Sequence, residues 1–593
     1  MKVVNSASIK NNRALLILSL MSFFIFSFVY LNWFAGYIFF YQEKSSLFLL
    51  SPQYLAGHLT QPGNFLIYLG ELQTSFYFYP VIGAILVSTE ILLIILIISL
   101  TGKAINGTRS LFIPFVIGAA LFYLQTNYQY SAFNNLGILF QLALFYWVTR
   151  YLNPKLQWIP VVASPAIYFF FGSFSLIFIL LFSQYLILKR NERWIIKLAL
   201  LWIFALIFFF AGKEFLFYQT TEKLILLPFS EQKIGLQIQL FITVIILIAL
   251  FPVILKINFK RISSFSIRRI KLIEFTPFAV LSVLILFSIQ RIDNKNAQYF
   301  HVEKLFYQQK FNEIIAFNRE FPSKNVLTNY LNNIALSQTG KLNDELFCFP
   351  QSPDGQTLFL KWEIVSEVLK RGGYFYYYLG MVNESQRWAY EYMVMRGNTP
   401  ESIKMIIKTE LINGNYKSAY KYISILKNSI FYRKEAREFE KLLFDDSAID
   451  LHPELGKIKR LKPKHDFFVL SENPAANLDL ILAADSANKV ALDYKLAFLL
   501  LQSDMKGIVE DLPLLQKTGE TTIPKNAEEA VVAYSLLNLK KYPEFEGFVI
   551  NPQTIIRFNE YYKIFQQNTA NKEQAQNALK GFSETFWYYV FFR

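Results

Sequence analysis

Apolar residues follow two different patterns along the chain. In residues 1–290 they form long runs, such as "EILLIILIISL" and "ITVIILIALFPVIL", with short polar segments between them. A helix that crosses a membrane needs about twenty apolar residues, so these runs predict spans. Nine spans are predicted, at roughly 14–36, 76–100, 111–127, 132–149, 157–171, 173–189, 194–212, 237–256 and 274–290. The pair at 157–189 can also be one long helix broken at Pro165 or Gly172, which would change the parity of the topology.

After Arg291 the pattern changes to amphipathic helices of roughly ten to fifteen residues with short turns. The predicted fold is therefore all-α. A polytopic transmembrane helix bundle of about nine spans occupies 1–290, and a soluble helical-repeat domain occupies 291–593.

The distribution of charge predicts the orientation of the bundle. Residues 1–290 hold 21 Lys/Arg, 8 Glu and no Asp, whereas the remainder holds 38 Lys/Arg and 36 Asp/Glu. Seventeen of the 21 basic residues fall at the N-terminus or in alternate short loops, the strongest of which is 256–271. Basic residues near spans stay on the cytoplasmic side. The N-terminus is thus predicted to be cytoplasmic and the C-terminal domain exterior, and no basic stripe is left over to favour nucleic acid as a partner.

Composition and motifs narrow the chemistry. Cys348 is the only cysteine, and His58, His301, His452 and His465 have no ligand spacing, so no disulfide and no metal site are predicted. The chain contains no Walker A loop, no G-x-S-x-G, no H-E-x-x-H and no dinucleotide fingerprint, and no cofactor is indicated.

The segment 37–75, here called the first loop, contains the best candidate site. It is predicted to be exterior and to include an interfacial helix within "SLFLLSPQYLAGHL". Glu43 and Glu71 are the candidate catalytic carboxylates, because a carboxylate at a dry membrane face can accept a proton from a hydroxyl near neutral pH. The alternative is that Glu43 simply marks the membrane boundary.

Four basic or titratable residues are candidates for binding a substrate. A phosphate leaving group needs a cation, and the candidate substrate-binding residues are Lys44, His58, Lys213 and Lys223. His58 has a second interpretation as an interfacial hydrogen-bonding residue.

Glu90 lies in the middle of the second predicted span, in "VSTEILLI". A bare carboxylate there is costly, so Glu90 is expected to be protonated, hydrogen-bonded or facing a cavity. Both a structural role and a role with protons or substrate are compatible with the sequence.

Parts of the C-terminal half resemble tetratricopeptide repeats. Helix–turn–helix patterns at 307–347 and 401–443 carry this resemblance, with Gly414 and Tyr416 at a turn and Ala419 where two helices would meet. The aromatic segment "GGYFYYYLG" at 372–380 interrupts the period. The resemblance implies a concave surface that holds protein partners; the alternative is a packed helical domain without that role.

The inside N-terminus, the long first loop and the exterior C-terminal domain together resemble the GT-C superfamily of membrane glycosyltransferases. That resemblance implies transfer of a sugar from a lipid-linked donor, with an acidic residue shortly after the first span as base or metal ligand. The usual acidic pair is replaced here by single Glu43 and single Glu71. "QEKSSLFL" and "QPGNFLIYLGELQTSFYFYPVIGAIL" resemble an uncharacterised multi-pass family of Bacteroidota, which implies a bacterial inner membrane.

Two functions follow from the sequence. The first is a GT-C-like transferase of the cell envelope that uses a lipid-linked sugar, and the second is a non-catalytic membrane scaffold that recruits periplasmic partners through its helical repeats. A transporter is disfavoured, because no inverted repeat is visible.

Overall fold

The computed structural model describes residues 2–106, 111–229, 237–262, 275–465, 467–470, 472–536, 542–568 and 571–592. These residues are helical, and among them there is no β-strand. The chain divides into two compact units. The first comprises Met1–Asp293 and Asn428–Phe431, and the second comprises Asn294–Lys427 and Tyr432–Arg593.

The first unit is a bundle of long apolar helices joined by shorter ones. Its helices are α1 (Lys2–Val29), α2 (Tyr37–Ser45), α3 (Pro52–His58), α4 (Asn64–Ser75), α5 (Pro80–Asn106), α6 (Phe112–Gln125), α7 (Phe133–Tyr151), α8 (Trp158–Val162), α9 (Ser164–Phe171), α10 (Ser175–Lys189), α11 (Trp194–Gly212), α12 (Thr221–Leu226), α13 (Ile238–Ile262) and α14 (Thr276–Ile289).

Five helical segments among the described residues are long and apolar enough to cross a membrane. They are Ala14–Phe34, Pro80–Ile105, Ser164–Lys189, Trp194–Phe217 and Ile238–Leu255. A sixth candidate exists if α14 and the following helix form one span, although the two are bent by 67° and fall in different units. These helices indicate a multi-pass membrane protein.

This number differs from the nine predicted spans for identifiable reasons. Helix α6 has 14 residues, which is short for a crossing. Helix α7 contains Asn134, Asn135 and Gln141, all fully buried, which lowers its hydropathy. The predicted pair at 157–189 forms a single candidate from Ser164, with a 3₁₀ turn at Gly172–Phe174 rather than a long break.

Part of the charge pattern lies outside the described residues. This applies to Arg109, Lys233, Arg268, Arg269 and Lys271, and to the side chains of the N-terminal basic residues and of Lys256, Lys260 and Arg261. The orientation of the bundle stays a prediction from the sequence.

Aromatic and branched aliphatic side chains form the core of the first unit. The fully buried Phe23 on α1 makes edge-to-face contacts with Phe115 (6.0 Å between ring centroids) and Phe122 (6.4 Å) on α6. Ile91 and Ile95 of α5 are buried in the same cluster. This packing places α1, α5 and α6 side by side. It thereby also fixes the positions of the polar residues on these helices.

The second unit consists of shorter helices. They are α15 (Asn294–Tyr307), α16 (Phe311–Glu320), α17 (Val326–Gln338), α18 (Leu342–Glu345), α19 (Ser366–Tyr378), α20 (Val382–Arg396), α21 (Pro400–Ile412), α22 (Tyr416–Lys427), α23 (Arg433–Glu440), α24 (Asp446–Leu451), α25 (Leu455–Leu461), α26 (Ala476–Ala484), α27 (Lys489–Gln502), α28 (Met505–Asp511), α29 (Lys525–Tyr534), α30 (Pro552–Gln567), α31 (Lys572–Ala578) and α32 (Phe586–Phe592).

Helices α19 to α22 pack each against the next in chain order. The aromatic segment at 372–380, predicted to interrupt the repeat period, is mostly part of α19, and the Trp388 indole of α20 packs against its glycines. Ala419 on α22 is fully buried. Helix α21 begins with a capping box between Thr399 and Ser402, with Pro400 in its first turn.

A buried ion pair lies in the core of the second unit. Arg371 on α19 and Glu303 on α15 are both fully buried, and Arg371 Nη2 lies 2.7 Å from Glu303 Oε1. Lys370 Nζ is 3.0 Å from the same oxygen. Burial would raise the pKa of Glu303, but the Arg371 and Lys370 charges outweigh burial and lower that pKa to about 2.

This arrangement predicts a large effect for Glu303→Gln. Removing one charge leaves Arg371 buried without its main counter-ion, which costs about 3–5 kcal/mol. We expect hydrogen exchange in α15 and α19 of the full chain to accelerate accordingly. The matched control is Glu313→Gln, which removes an exposed pair with Lys310 (2.9 Å) and costs under ~1 kcal/mol.

The same pair predicts a pH dependence. The pKa of Glu303 is lower in the folded chain than in the unfolded chain, so its contribution to stability is present above about pH 4.5 and is lost as the pH falls through about 2. Equal protection in Glu303→Gln and Glu313→Gln at neutral pH would contradict this account.

Candidate functional site

The first loop folds into three short helices, α2, α3 and α4. Helix α3 begins at Pro52, and the preceding Ser51 hydroxyl accepts a hydrogen bond from the Tyr54 N–H at 3.1 Å. Residues 46–59 thus contain a short helix, and its position at a membrane surface stays a prediction. Its last residue is His58, which places the imidazole at the turn toward α4.

The turn between α3 and α4 is fixed by close backbone packing at Gly63. Gly63 has a φ of +80°, and a Cβ there would lie 3.1 Å from Pro228 Cδ and 3.2 Å from Gly172 Cα. The Gly63 N–H donates to Phe169 O at 2.9 Å. A residue other than glycine would be strained and crowded at this position. The start of α4 is thus held against two other turns of the first unit.

Tyr54, His58 and Glu71 come together and form what we call the Glu71 cluster. His58 Nε2 lies 3.2 Å from Glu71 Oε2, and the Tyr54 hydroxyl donates a short hydrogen bond to the same oxygen. The His58 and Glu71 side chains are 18% and 23% exposed, so the cluster is sheltered yet reachable. The Tyr68 ring packs on both Tyr54 and His58.

His58 lies between two oxygen acceptors. Its Nδ1 lies 2.9 Å from the Tyr54 carbonyl oxygen, and its Nε2 faces the Glu71 carboxylate. A ring nitrogen that bears a proton can donate to either of these oxygens. The geometry therefore lets the imidazole orient the Glu71 carboxylate.

The second carboxylate oxygen of Glu71 is left available. Within the described residues, Oε1 of Glu71 has no hydrogen-bond partner, whereas Oε2 accepts from two side chains. Burial and the neighbouring negative charge of Glu71 raise the pKa of the Tyr54 hydroxyl well above its usual range, so Tyr54 stays a donor. The cluster can thus accept a proton at Oε1 while its other side stays fixed.

The other predicted carboxylate lies in a different setting. Glu43 and Lys44 are adjacent on α2, and both are buried, with Glu43 6% exposed. Lys44 Nζ is 3.5 Å from Glu43 Oε2. The structure thus brings Glu71 together with His58, and Glu43 together with Lys44, as two separate pairs.

The two predicted lysines of the 213–229 segment lie at the surface. Lys213 pairs with Glu214 at 2.9 Å, and Lys223 is exposed on α12. Gln61 Nε2 contacts Phe217 O at 3.5 Å, which brings this segment against the first loop. Within the described residues, neither lysine forms an ion pair with Glu43 or Glu71.

The interior of the bundle contains a polar network. Glu90 is the one member of this network that the sequence pattern indicated. The network consists of Gln42, Gln73, Tyr77, Glu90, Gln125, Tyr130 and Asn135, and we call it the Glu90 network. Amide residues inside otherwise apolar runs, such as "FNNLGILFQ", are the signal that could have revealed it. In the part of the chain that the structure describes, no group of three or more His, Cys, Asp or Glu side chains is arranged to hold a metal ion.

One comparison with known proteins identifies the family of this chain. A family model described as "Family of unknown function (DUF6057)" matches residues 11–593. The chain belongs to the DUF6057 family. No curated protein matches the DUF6057 chain, and no solved structure matches it either. The matched region covers both units of the DUF6057 chain except residues 1–10 of the first.

The Glu71 cluster predicts a stabilising role for the Tyr54 hydroxyl. Tyr54→Phe removes a hydrogen bond to a charged acceptor, which contributes about 1.5–3 kcal/mol. We expect faster hydrogen exchange in peptides covering α3 and the start of α4 in the full chain.

Tyr68→Phe is the matched control. The Tyr68 ring belongs to the same aromatic group, but its hydroxyl has no hydrogen bond among the described residues. The control should therefore leave exchange unchanged. Equal exchange in the two variants would show that the Tyr54–Glu71 bond does not hold α3 against α4.

Proposed function

We propose that the DUF6057 protein is a membrane-embedded transferase that moves a sugar from a lipid-linked donor at the exterior membrane surface. The observation that supports this most is the Glu71 cluster. It places a half-sheltered carboxylate with one open oxygen beside an imidazole, on the loop between two candidate spans.

Glu71 is the proposed general base. Its Oε1 can accept the proton of a sugar hydroxyl as that oxygen attacks the anomeric carbon of the donor. The contacts at Oε2 from His58 and Tyr54 keep the carboxylate oriented between turnovers. Proton transfer to a positioned side chain typically contributes about 10²–10⁴-fold to a rate.

Cations of the first unit are proposed to bind the phosphate of the donor. The bond that breaks joins the anomeric carbon to a phosphate oxygen, and the departing phosphate takes the electron pair. His58 lies beside the base, and Lys213 and Lys223 belong to the segment that contacts the first loop through Gln61. A cation aligned with a developing phosphate charge stabilises the transition state.

Glu43 is proposed to have a structural role instead. It is 6% exposed and paired with Lys44, so a substrate hydroxyl has little access to it. A buried pair of this kind holds α2 in place, and breaking it leaves an uncompensated charge. This assignment differs from the sequence-based expectation, which made Glu43 and Glu71 equal candidates.

The resulting prediction compares three Glu→Gln variants. Glu71→Gln should lower sugar transfer by about 10²–10⁴-fold at normal abundance, because the base is lost and the fold is kept. Glu43→Gln should lower the amount of folded protein while transfer per folded molecule is kept. Glu222→Gln, at an exposed position on α12, should change neither.

Transfer is measured in membranes with a radiolabelled polyprenyl-phosphate sugar, and surface glycans are measured in a deletion strain that expresses each variant. Normal glycans and normal transfer with Glu71→Gln would show that the Glu71 cluster does not catalyse sugar transfer.

A scaffold remains the second candidate, and the second unit favours it. Helices α19 to α22 stack in chain order, as helices do in tetratricopeptide-like repeats that bind partners. If the protein is a scaffold, deletion of residues 294–593 alone should reproduce the phenotype of the deletion strain. Glu71→Gln should then cause no phenotype.

The proposed location is the bacterial inner membrane, with the N-terminus cytoplasmic and the second unit periplasmic. Alternating basic loops support this orientation. A reporter that is active only in the periplasm should therefore be active when fused after Arg593 and inactive when fused after Leu156, which follows a predicted cytoplasmic loop. Activity in the reverse pattern would refute the orientation and the exterior position of the first loop.

A further inference from the structure

Glu90 lies deep in the candidate span Pro80–Ile105. It is ten residues after Pro80, which corresponds to about 15 Å along a helix axis. The residue is only 7% exposed. Hydrocarbon offers no hydrogen bonds, so the carboxyl depends on the protein groups around it.

The groups around Glu90 are polar but not cationic. The side-chain amides of Gln73 on α4 and Asn135 on α7 interact with its carboxyl by hydrogen bonding. The titratable side chains that act on it are Tyr77, from the turn before α5, and Tyr130, from the turn before α7. Among the described side chains, α1, α2, α6 and α13 place no lysine or arginine against the carboxyl. An ionised Glu90 would therefore be a buried charge without a counter-ion.

Among the described residues, one oxygen of the Glu90 carboxyl lacks a hydrogen-bond donor. Within the described residues, Glu90 Oε2 has no hydrogen-bond partner, and neither has Oε1 of the interacting Gln73. Gln73 already uses its Nε2 to donate to the Tyr77 hydroxyl at 2.7 Å. Two interacting side chains thus each present a buried acceptor that nothing satisfies. One proton on the carboxyl would supply the missing donor, because a protonated acid has an O–H.

The rest of the network holds these groups in place. Gln42 Nε2 donates to Tyr130 O at 2.7 Å, the Tyr130 hydroxyl donates to Asn135 Oδ1 at 3.1 Å, and Asn135 Nδ2 donates to Gln125 Oε1 at 3.3 Å. Four helices or turns are joined in this way. The same contacts connect the surroundings of Glu90 to α2 in the first loop.

We propose that Glu90 is an intramembrane proton-binding site, in which Oε2 takes up one exchangeable proton and forms an O–H bond within the Glu90 network. The proton comes from water, and the step is the simple conversion of a carboxylate to a carboxylic acid. The ligand is a proton rather than a metal cation, because within the described residues no group of three or more His, Cys, Asp or Glu side chains could hold a metal ion. This inference does not depend on sugar transfer by the Glu71 cluster.

The test uses the full chain in lipid nanodiscs and two independent readouts. Infrared difference spectra between the wild type and Glu90→Gln should contain the carbonyl band of a protonated carboxylic acid at neutral pH, and the band should fade as the pH rises. Dicyclohexylcarbodiimide, which reacts with protonated carboxyls in apolar surroundings, should modify Glu90 at low and neutral pH. Glu192 is the control carboxylate, since it is exposed and should not react.

Gln73→Leu provides a variant of the surroundings of Glu90. The Gln73 amide interacts with the carboxyl, so its loss should change the position of the carboxylic acid band in the infrared difference spectrum. Glu90→Gln keeps the shape of the protonated side chain and should purify with the same size-exclusion profile.

Three results would overturn the proposal. The first is absence of the carboxylic acid band at neutral pH in the wild type. The second is a band that is present but the same in Glu90→Gln. The third is labelling of Glu90 that Na⁺ or K⁺ suppresses at constant pH, which would make the site a cation site instead.

Discussion

The hydrocarbon of a membrane offers no hydrogen bonds, and this constraint organises the first unit. Polar side chains within the bundle must find partners in one another, because the lipid cannot supply any. The amides of Gln42, Gln73 and Asn135 and the hydroxyls of Tyr77 and Tyr130 meet part of this requirement through hydrogen bonds within the bundle. Since the members come from different helices, satisfying them also fixes how those helices pack.

The same constraint affects the candidate site, because one helix contributes residues both to the Glu90 network and to the Glu71 cluster. Helix α4 contains Gln73, which belongs to the network, and Glu71, which belongs to the surface cluster two residues earlier. Successive positions on a helix point in different directions, so one helix can serve an interior network and an exterior cluster at once. Gly63 fixes the start of this helix against neighbouring turns. The position of the Glu71 carboxylate thus depends on contacts made inside the bundle.

In the second unit, buried charged side chains also need partners within the protein. Glu303 and Arg371 are fully buried, and each would be costly without the other. Their partners Lys370 and Tyr307 surround the pair, as Tyr307 donates to Glu303 Oε1 at 2.6 Å. Such a pair adds little net stability compared with apolar residues. The two charges must nevertheless lie together, because separating them leaves a buried charge without a counter-ion. We infer that the pair specifies the packing of α15 against α19.

The sequence by itself determined the class of the protein, its all-helical content and the change of pattern near residue 291. Hydropathy and helical period depend on neighbours along the chain, and a single sequence contains that information. It also directed attention to the first loop, to Glu71 and His58, and to the unusual Glu90. The tertiary structure decided which of these residues meet. His58 and Glu71 are thirteen positions apart and join only because Gly63 turns the chain, while Glu43 is withdrawn into a buried pair. Gln73 and Asn135 reach Glu90 from two other helices, and long-range packing of that kind leaves no trace in local periodicity.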